Sequence, residues 1–78
     1  MTTPTPIIVD ARGLLPPEPM HLTLEALDQL TPDNEVLLLI YREPTPLFDI
    51  LVRNGYRYTS SCNDAGEYEI RIRQGATA

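Results

Sequence analysis

One stretch sets the start of the fold: Asp10-Ala11-Arg12-Gly13-Leu14-Leu15-Pro16-Pro17-Glu18-Pro19. Before it, residues 6–10 read Pro-Ile-Ile-Val-Asp, and this β-branched run predicts a first strand. Gly13 predicts a turn that needs permissive backbone dihedrals. Pro17 and Pro19 fit only in the first turn of a helix, where backbone N–H groups lack intrahelical acceptors. The first helix is therefore predicted to begin at one of these two prolines.

The segment after the prolines is predicted to be an amphipathic helix that ends near Leu30–Thr31, because Pro32 cannot continue it. The predicted apolar stripe comprises Met20, Leu24 and Leu27, widened by Leu22, Ala26 and Leu30. The predicted polar face comprises His21, Glu25, Asp28 and Gln29. The tripeptide Pro32-Asp33-Asn34 then predicts a turn.

The next two elements are a buried strand and a short helix. Residues 35–41 contain Val-Leu-Leu-Leu-Ile without alternation, which is typical of an interior, parallel strand. Thr45 is predicted to cap a second helix with Pro46 at its first position. Asn54-Gly55 predicts its end. The apolar stripe of this helix is predicted to comprise Leu47, Ile50 and Leu51, with Phe48 and Val52 at its flank.

The remainder predicts a hairpin, with strands at residues 56–62 and 67–73 around Asn63-Asp64-Ala65-Gly66. Because a strand–helix–strand crossover is right-handed in nearly all proteins, both helices are expected on one sheet face. The predicted fold is α+β: a two-layer α/β sandwich of order βαβαββ, with a four-stranded mixed sheet and two helices on one face. We expect a single domain over residues 6–74, with flexible tails at residues 1–5 and 75–78.

Composition excludes several classes of function. The chain has 78 residues and a net charge of −5, and its six basic residues are all arginine. Scattered arginines among acids argue against nucleic-acid binding. A single cysteine excludes an internal disulfide and fits a reducing cytoplasm. We also expect no signal peptide and no membrane helix.

The stretch at residues 10–19 resembles the signature of the TusA/SirA family of sulfur-carrier proteins. In that family an Asp-Ala-Arg-Gly-Leu segment leads into Cys-Pro-Glu-Pro, and the cysteine carries a persulfide. Here Pro16 stands at the cysteine position, while Pro17, Glu18 and Pro19 match the family. Proline offers neither a nucleophile nor an N–H donor, so sulfur transfer from this position is excluded. The resemblance also implies the same βαβαββ order.

A branch of uncharacterised domains in that superfamily resembles this chain more closely. It is similar in having Pro-Pro-Glu-Pro, a motif like Arg42-Glu43-Pro44-Thr45-Pro46-Leu47, and a Gly-aromatic pair like Gly55-Tyr56. The resemblance implies a redox, sulfur or nitrogen setting. We therefore expect no enzymatic activity and no cofactor, and a module that binds another protein or a ligand.

The predicted binding residues lie in two loops. They are Asp10, Arg12, Pro16, Pro17, Glu18, Pro19, Tyr41, Arg42 and Glu43. The first loop, with Arg12 as anchor, is the docking surface that the resemblance implies, and the second follows the carboxyl end of the central strand, where ligands gather in open α/β sheets. The alternative is structural: an Asp10–Arg12 pair that fixes the loop, Glu18 favourable at a helix start, and a second loop that only connects.

Two further residues carry alternative hypotheses. Cys62 is either an inert cysteine or a relocated sulfur or redox thiol. His21 is either a solvated surface histidine or a metal ligand beside Glu18 or Glu25, which would suit a metal or haem accessory protein. Metal sites normally need several converging ligands, and no His/Cys cluster is visible in the sequence.

The central strand also predicts a surface for self-association. Leu37 and Leu39 share one face of that strand, and a two-layer fold leaves one sheet face uncovered. Leucines on that face favour a homodimer or another protein partner.

Overall fold

The computed structural model describes residues 6–75. Within them the elements are β1 (Ile7–Asp10), α1 (Glu18–Leu27), β2 (Val36–Ile40), α2 (Thr45–Arg53), β3 (Tyr56–Cys62) and β4 (Tyr68–Gln74). The predicted order βαβαββ is confirmed. Of the tails predicted at residues 1–5 and 75–78, only Gly75 lies within the described residues. No helix between residues 6 and 75 has the length and apolar content needed to cross a membrane.

The four strands of residues 6–75 form one mixed sheet in the order β1-β2-β4-β3. β2 pairs in parallel with β1 and antiparallel with β4, so the apolar strand is interior, as predicted. The register aligns Val9, Leu38 and Ile70 across these three strands. All three are buried in the core, which identifies this face as the one that the helices cover. The two-layer α/β sandwich is thus the observed architecture.

Helix α1 differs from its prediction at its carboxyl end. The α-helix ends at Leu27, and the N–H groups of Asp28, Gln29 and Leu30 each donate to the carbonyl three residues earlier. Such bonds tighten the last turn into 3₁₀ geometry and bring Leu30 into the core. The side chain of Gln74 then donates to the Leu30 carbonyl at 2.9 Å, which joins α1 to the end of β4.

The buried face of α1 also differs from the predicted stripe. Thr23 is fully buried, whereas Leu22 and Leu24 are exposed. The Thr23 hydroxyl donates to the Pro19 carbonyl at 2.7 Å, so the buried polar group is satisfied within its own helix. Four residues of the predicted stripe are confirmed, since Ala26, Leu27 and Leu30 are buried and Met20 packs against them. Thr23 replaces Leu22 and Leu24 on the face that packs on the sheet.

Helix α2 begins one residue earlier than predicted. Thr45 is its first helical residue rather than its cap, and the helix has no side-chain capping hydrogen bond. Pro44 has φ −86° and ψ 70°, and the Thr45 N–H donates to the Glu43 carbonyl at 3.0 Å. This inverse γ-turn starts the helix through the backbone instead of a side chain. The predicted stop is confirmed, because Gly55 has a positive φ of 82° directly after the helix.

Phe48, predicted at the flank of the α2 stripe, contributes to the edge of the core. Its ring stacks on Tyr58 of β3, with ring centroids 4.3 Å apart and an interplanar angle of 9°. Val52, predicted beside it, is 63% exposed. The flank is therefore divided: Phe48 fixes α2 on the sheet, while Val52 faces solvent.

Candidate functional site

The first loop of the candidate site is built from two consecutive turns. The Leu14 N–H donates to the Ala11 carbonyl at 3.3 Å across a turn in which Gly13 has φ 80°. A positive φ at the third turn residue is the type II requirement that favours glycine. The Glu18 N–H then donates to the Leu15 carbonyl at 3.0 Å. This second turn contains Pro16 and Pro17 and delivers the chain to α1.

Arg12 in this loop is held by two carboxylates. Its guanidinium donates to both carboxylate oxygens of Asp10 at 2.9 Å, and the Arg12 backbone N–H donates to Asp10 at 3.2 Å. Nη1 of Arg12 also lies 3.5 Å from Glu67. The side-chain and backbone hydrogen bonds from Arg12 lower the pKa of Asp10 from 3.8 to about 2. The same hydrogen bond with Asp10 raises the pKa of Arg12. The loop-fixing Asp10–Arg12 pair predicted from sequence is present.

The second loop, residues 41–46, leaves the carboxyl end of β2 and enters α2. Glu43 joins this loop to the edge strand β3, since its carboxylate accepts a hydrogen bond from the Ser60 hydroxyl at 3.2 Å. Tyr41 is 55% exposed. Arg42 is also exposed and, within residues 6–75, forms no salt bridge. The loop thus offers an aromatic ring and an uncompensated cation at one end of the sheet.

The two loops meet around two cavities, which together we call the two-loop surface. A cavity of about 330 Å³ lies between the proline segment of the first loop and the entry to α2. A second cavity, of about 390 Å³, lies on the side of Gly13, Leu15 and Tyr41. Four residues line both cavities: Pro16, Pro19, Ile40 and Arg42. The walls are mostly proline rings and aliphatic side chains, Arg42 is the charged residue common to both cavities, and Glu43 lines the first.

The structure places most, but not all, of the predicted binding residues at the two-loop surface. Those that line a cavity are Pro16, Pro17, Pro19, Tyr41, Arg42 and Glu43. Asp10, Arg12 and Glu18 line neither cavity. Lining residues that the sequence did not single out are Ala11, Gly13, Leu14, Leu15, Met20, Leu38, Ile40, Pro44, Pro46 and Leu47. Leu15 is 78% exposed, which its hydropathy alone does not predict.

Cys62 is not part of this surface, although the strand register places it two strands from Ile40. It is the last residue of β3, the strand at the opposite edge of the sheet from β1. The thiol is exposed, lies 3.6 Å from the Asn63 carbonyl and lines neither cavity of the two-loop surface.

His21 lies on the exposed side of α1, as predicted. With Glu25 and Asp28 it lines a shallow cleft of about 350 Å³ beside α2. Glu18 is not part of this cleft. Across residues 6–75, no three side chains of the His, Cys, Asp and Glu types come close enough together to hold a metal ion.

The sequence from Ile8 to Gln74 matches the family described as "Uncharacterized conserved protein (DUF2249)". The chain belongs to this family. Its matched region begins within β1 and ends with the last residue of β4, so it contains both loops of the two-loop surface. No curated protein and no solved structure matches the chain.

Proposed function

We propose that this DUF2249 domain is a non-catalytic binding module whose two-loop surface accepts a segment of another protein. The observation that carries the proposal is the convergence of the two loops, with Pro16, Pro19, Ile40 and Arg42 shared by both cavities. Such a surface supplies rigid apolar walls at low entropic cost, because proline rings are already fixed before binding.

The chemistry of the surface suggests the chemistry of its partner. Cavities of about 330 and 390 Å³ lie at the small end of the range for ligand sites, roughly 300–1,000 Å³, and suit individual apolar side chains. Leu15 and Tyr41 flank the second cavity as exposed contact groups. Arg42 is free to meet a carboxylate. We propose a peptide segment with one or two apolar side chains next to an aspartate or glutamate.

The resemblance at residues 10–19 supports the same function. In a sulfur carrier the group at the position of Pro16 is a reactive thiol, whereas here it is a ring that lines both cavities. The apolar ring of Pro16 can contact a bound partner but cannot react with it. We therefore propose a TusA-like domain that keeps the docking frame without the chemistry, and that works in the cytoplasm in a redox, sulfur or nitrogen setting.

Selection from a random peptide display library tests the proposal, because it does not require the partner to be identified first. We expect enriched peptides to share an apolar residue beside an acidic one. Binding should fall by about fivefold or more in Arg42→Ala, since the carboxylate contact is partly exposed. Arg53→Ala is the control, because Arg53 is an exposed arginine that lines neither cavity of the two-loop surface.

Two results would contradict the proposal. If the selected peptides bind Arg42→Ala as tightly as the wild type, Arg42 does not contact the acidic residue of the peptide and the proposal is wrong. Backbone amide shifts on peptide binding that avoid residues 13–19 and 40–47 would also contradict it. If the library yields no binding peptide but small apolar compounds shift these same amides, the domain would be a ligand-binding module instead.

A second candidate is a sulfur or redox carrier that acts through Cys62, and the exposure of this thiol favours it. Incubation with a persulfide donor followed by mass spectrometry distinguishes the two. A carrier should gain one sulfur atom at Cys62, and Cys62→Ser should gain none. A pure binding module should bind its peptide equally well with Cys62→Ser.

A further inference from the structure

Three arginines share the sheet face that the helices leave open. Arg57 of β3 is directly opposite Arg73 of β4, and Thr59 is directly opposite Arg71. Because side chains alternate along a strand, these four residues point to the same face. With Glu35, which directly precedes β2, they line a concavity of about 300 Å³. We call Arg57, Arg71 and Arg73 the arginine cluster.

The cluster contains more positive than negative charge. Glu35 accepts hydrogen bonds from Arg71 at 2.6 Å and from Arg73 at 3.1 Å, and its side chain is only 15% exposed. Arg57 forms no salt bridge within residues 6–75. The cluster therefore has three guanidinium groups and one carboxylate, which pairs with two of them. Like charges directly opposite each other on neighbouring strands repel, as Arg57 and Arg73 do here.

We propose that the arginine cluster binds a small multivalent oxyanion of the phosphate or sulfate class. Planar guanidinium groups bind such anions with paired N–H donors, and the Thr59 hydroxyl adds a further donor on the same face. The anion relieves the repulsion between Arg57 and Arg73. The concavity has no residue in common with the two cavities of the two-loop surface, so this is a separate site.

The charge of the whole chain favours a small anion over a polyanion. A net charge of −5 repels an extended acidic polymer, whereas a single oxyanion needs only the local excess of positive charge. Glu69, which lies on the same face of β4 between Arg71 and the hairpin turn, makes no salt bridge with the cluster among residues 6–75 and does not line the concavity. The site is therefore limited to the end of the sheet near Glu35.

Titration of the labelled protein with sodium phosphate and with sodium sulfate, followed by NMR, tests the proposal at pH 7. We expect saturable shifts at the backbone amides of Arg57, Thr59, Arg71 and Arg73. Sodium chloride at matched ionic strength should not reproduce them. Arg57→Ala should weaken phosphate binding by about fivefold or more, because it removes the contact between the anion and an exposed guanidinium group that has no salt-bridge partner within residues 6–75.

Arg53→Ala is the matched control, since it removes the same charge from the exposed end of α2, where Arg53 pairs with Asp49. It should leave the affinity for phosphate unchanged. Equal weakening in Arg53→Ala and Arg57→Ala would reduce the effect to net charge and overturn the proposal. Shifts that fail to saturate, or that chloride reproduces, would overturn it as well.

Discussion

Arg12 and Glu67 lie on opposite sides of the central strand, and a salt bridge of 3.5 Å joins them across the end of that strand. Arg12 follows β1 and Glu67 directly precedes β4, while β2 lies between those two strands in the sheet. Together with the paired hydrogen bonds to Asp10, this contact fixes the first loop to the hairpin. Arg12 therefore has a structural role in the loop, whereas Arg42 forms no salt bridge within residues 6–75 and is the charge that we propose for recognition.

This division of roles predicts different effects for two arginine substitutions. Arg12→Ala should lower the free energy of unfolding, because it releases Asp10 and Glu67 together. Arg42→Ala should change that free energy by no more than about 0.5 kcal/mol, as for other surface substitutions. Urea unfolding at pH 7 measures both. If Arg42→Ala proved as destabilising as Arg12→Ala, the assignment of Arg12 to structure and Arg42 to recognition would be wrong.

The lowered pKa of Asp10 predicts a loss of stability in acid. Because the folded carboxyl titrates at about 2 rather than 3.8, its contribution is present above pH 4 and is lost as the pH falls from about 4 to about 2. Glu35, whose pKa is lowered mainly by the hydrogen bond from Arg71, contributes with the same sign. An NMR titration of the Asp10 carboxyl should give a midpoint near 2. In Arg12→Ala the midpoint should return toward 3.8, and an unchanged midpoint would show that Arg12 does not lower this pKa.

The stacked pair of Phe48 and Tyr58 predicts a measurable share of the stability. Phe48→Ala removes a half-buried ring and its stacking contact, which together should cost about 2 kcal/mol of unfolding free energy. Val52→Ala on the exposed side of the same helix should cost no more than about 0.5 kcal/mol. Chemical denaturation compares the two variants, and equal losses would show that the ring is not part of the core.

Local sequence signals predicted the order of the elements because each signal acts within a few residues. Gly13 and Gly55 have the positive φ that their turns require. The apolar run of β2 predicts an interior strand, and β2 does lie between β1 and β4 in the mixed sheet. Thr23 shows the limit of such signals. Its hydroxyl finds an acceptor one helical turn earlier, which makes a polar residue suitable for burial and rotates the apolar stripe away from Leu24.

The candidate site was predictable only in part, for a related reason. The two loops were identified from their prolines and charges, and Pro16, Pro19 and Arg42 do line the cavities. The cavities themselves arise where residues far apart in sequence meet, so Ile40 and Leu15 carried no local signal. Arg12 was predicted both as an anchor and as a loop-fixing partner; its contacts with Asp10 and Glu67 confirm the loop-fixing pair, and the anchor role stays a prediction.

The open sheet face predicts self-association, and charge reversal at one residue tests it. Ile8 is 59% exposed on this face, and Leu37 and Leu39 lie beside it on β2. We expect the wild type to form a dimer at high concentration in sedimentation experiments, since apolar side chains in a row favour burial. Ile8→Glu should shift the equilibrium to monomer. Val52→Glu, at a similarly exposed apolar position on α2, should not. A wild type that stays monomeric at millimolar concentration, or a dimer that Ile8→Glu leaves intact, would show that this face does not mediate assembly.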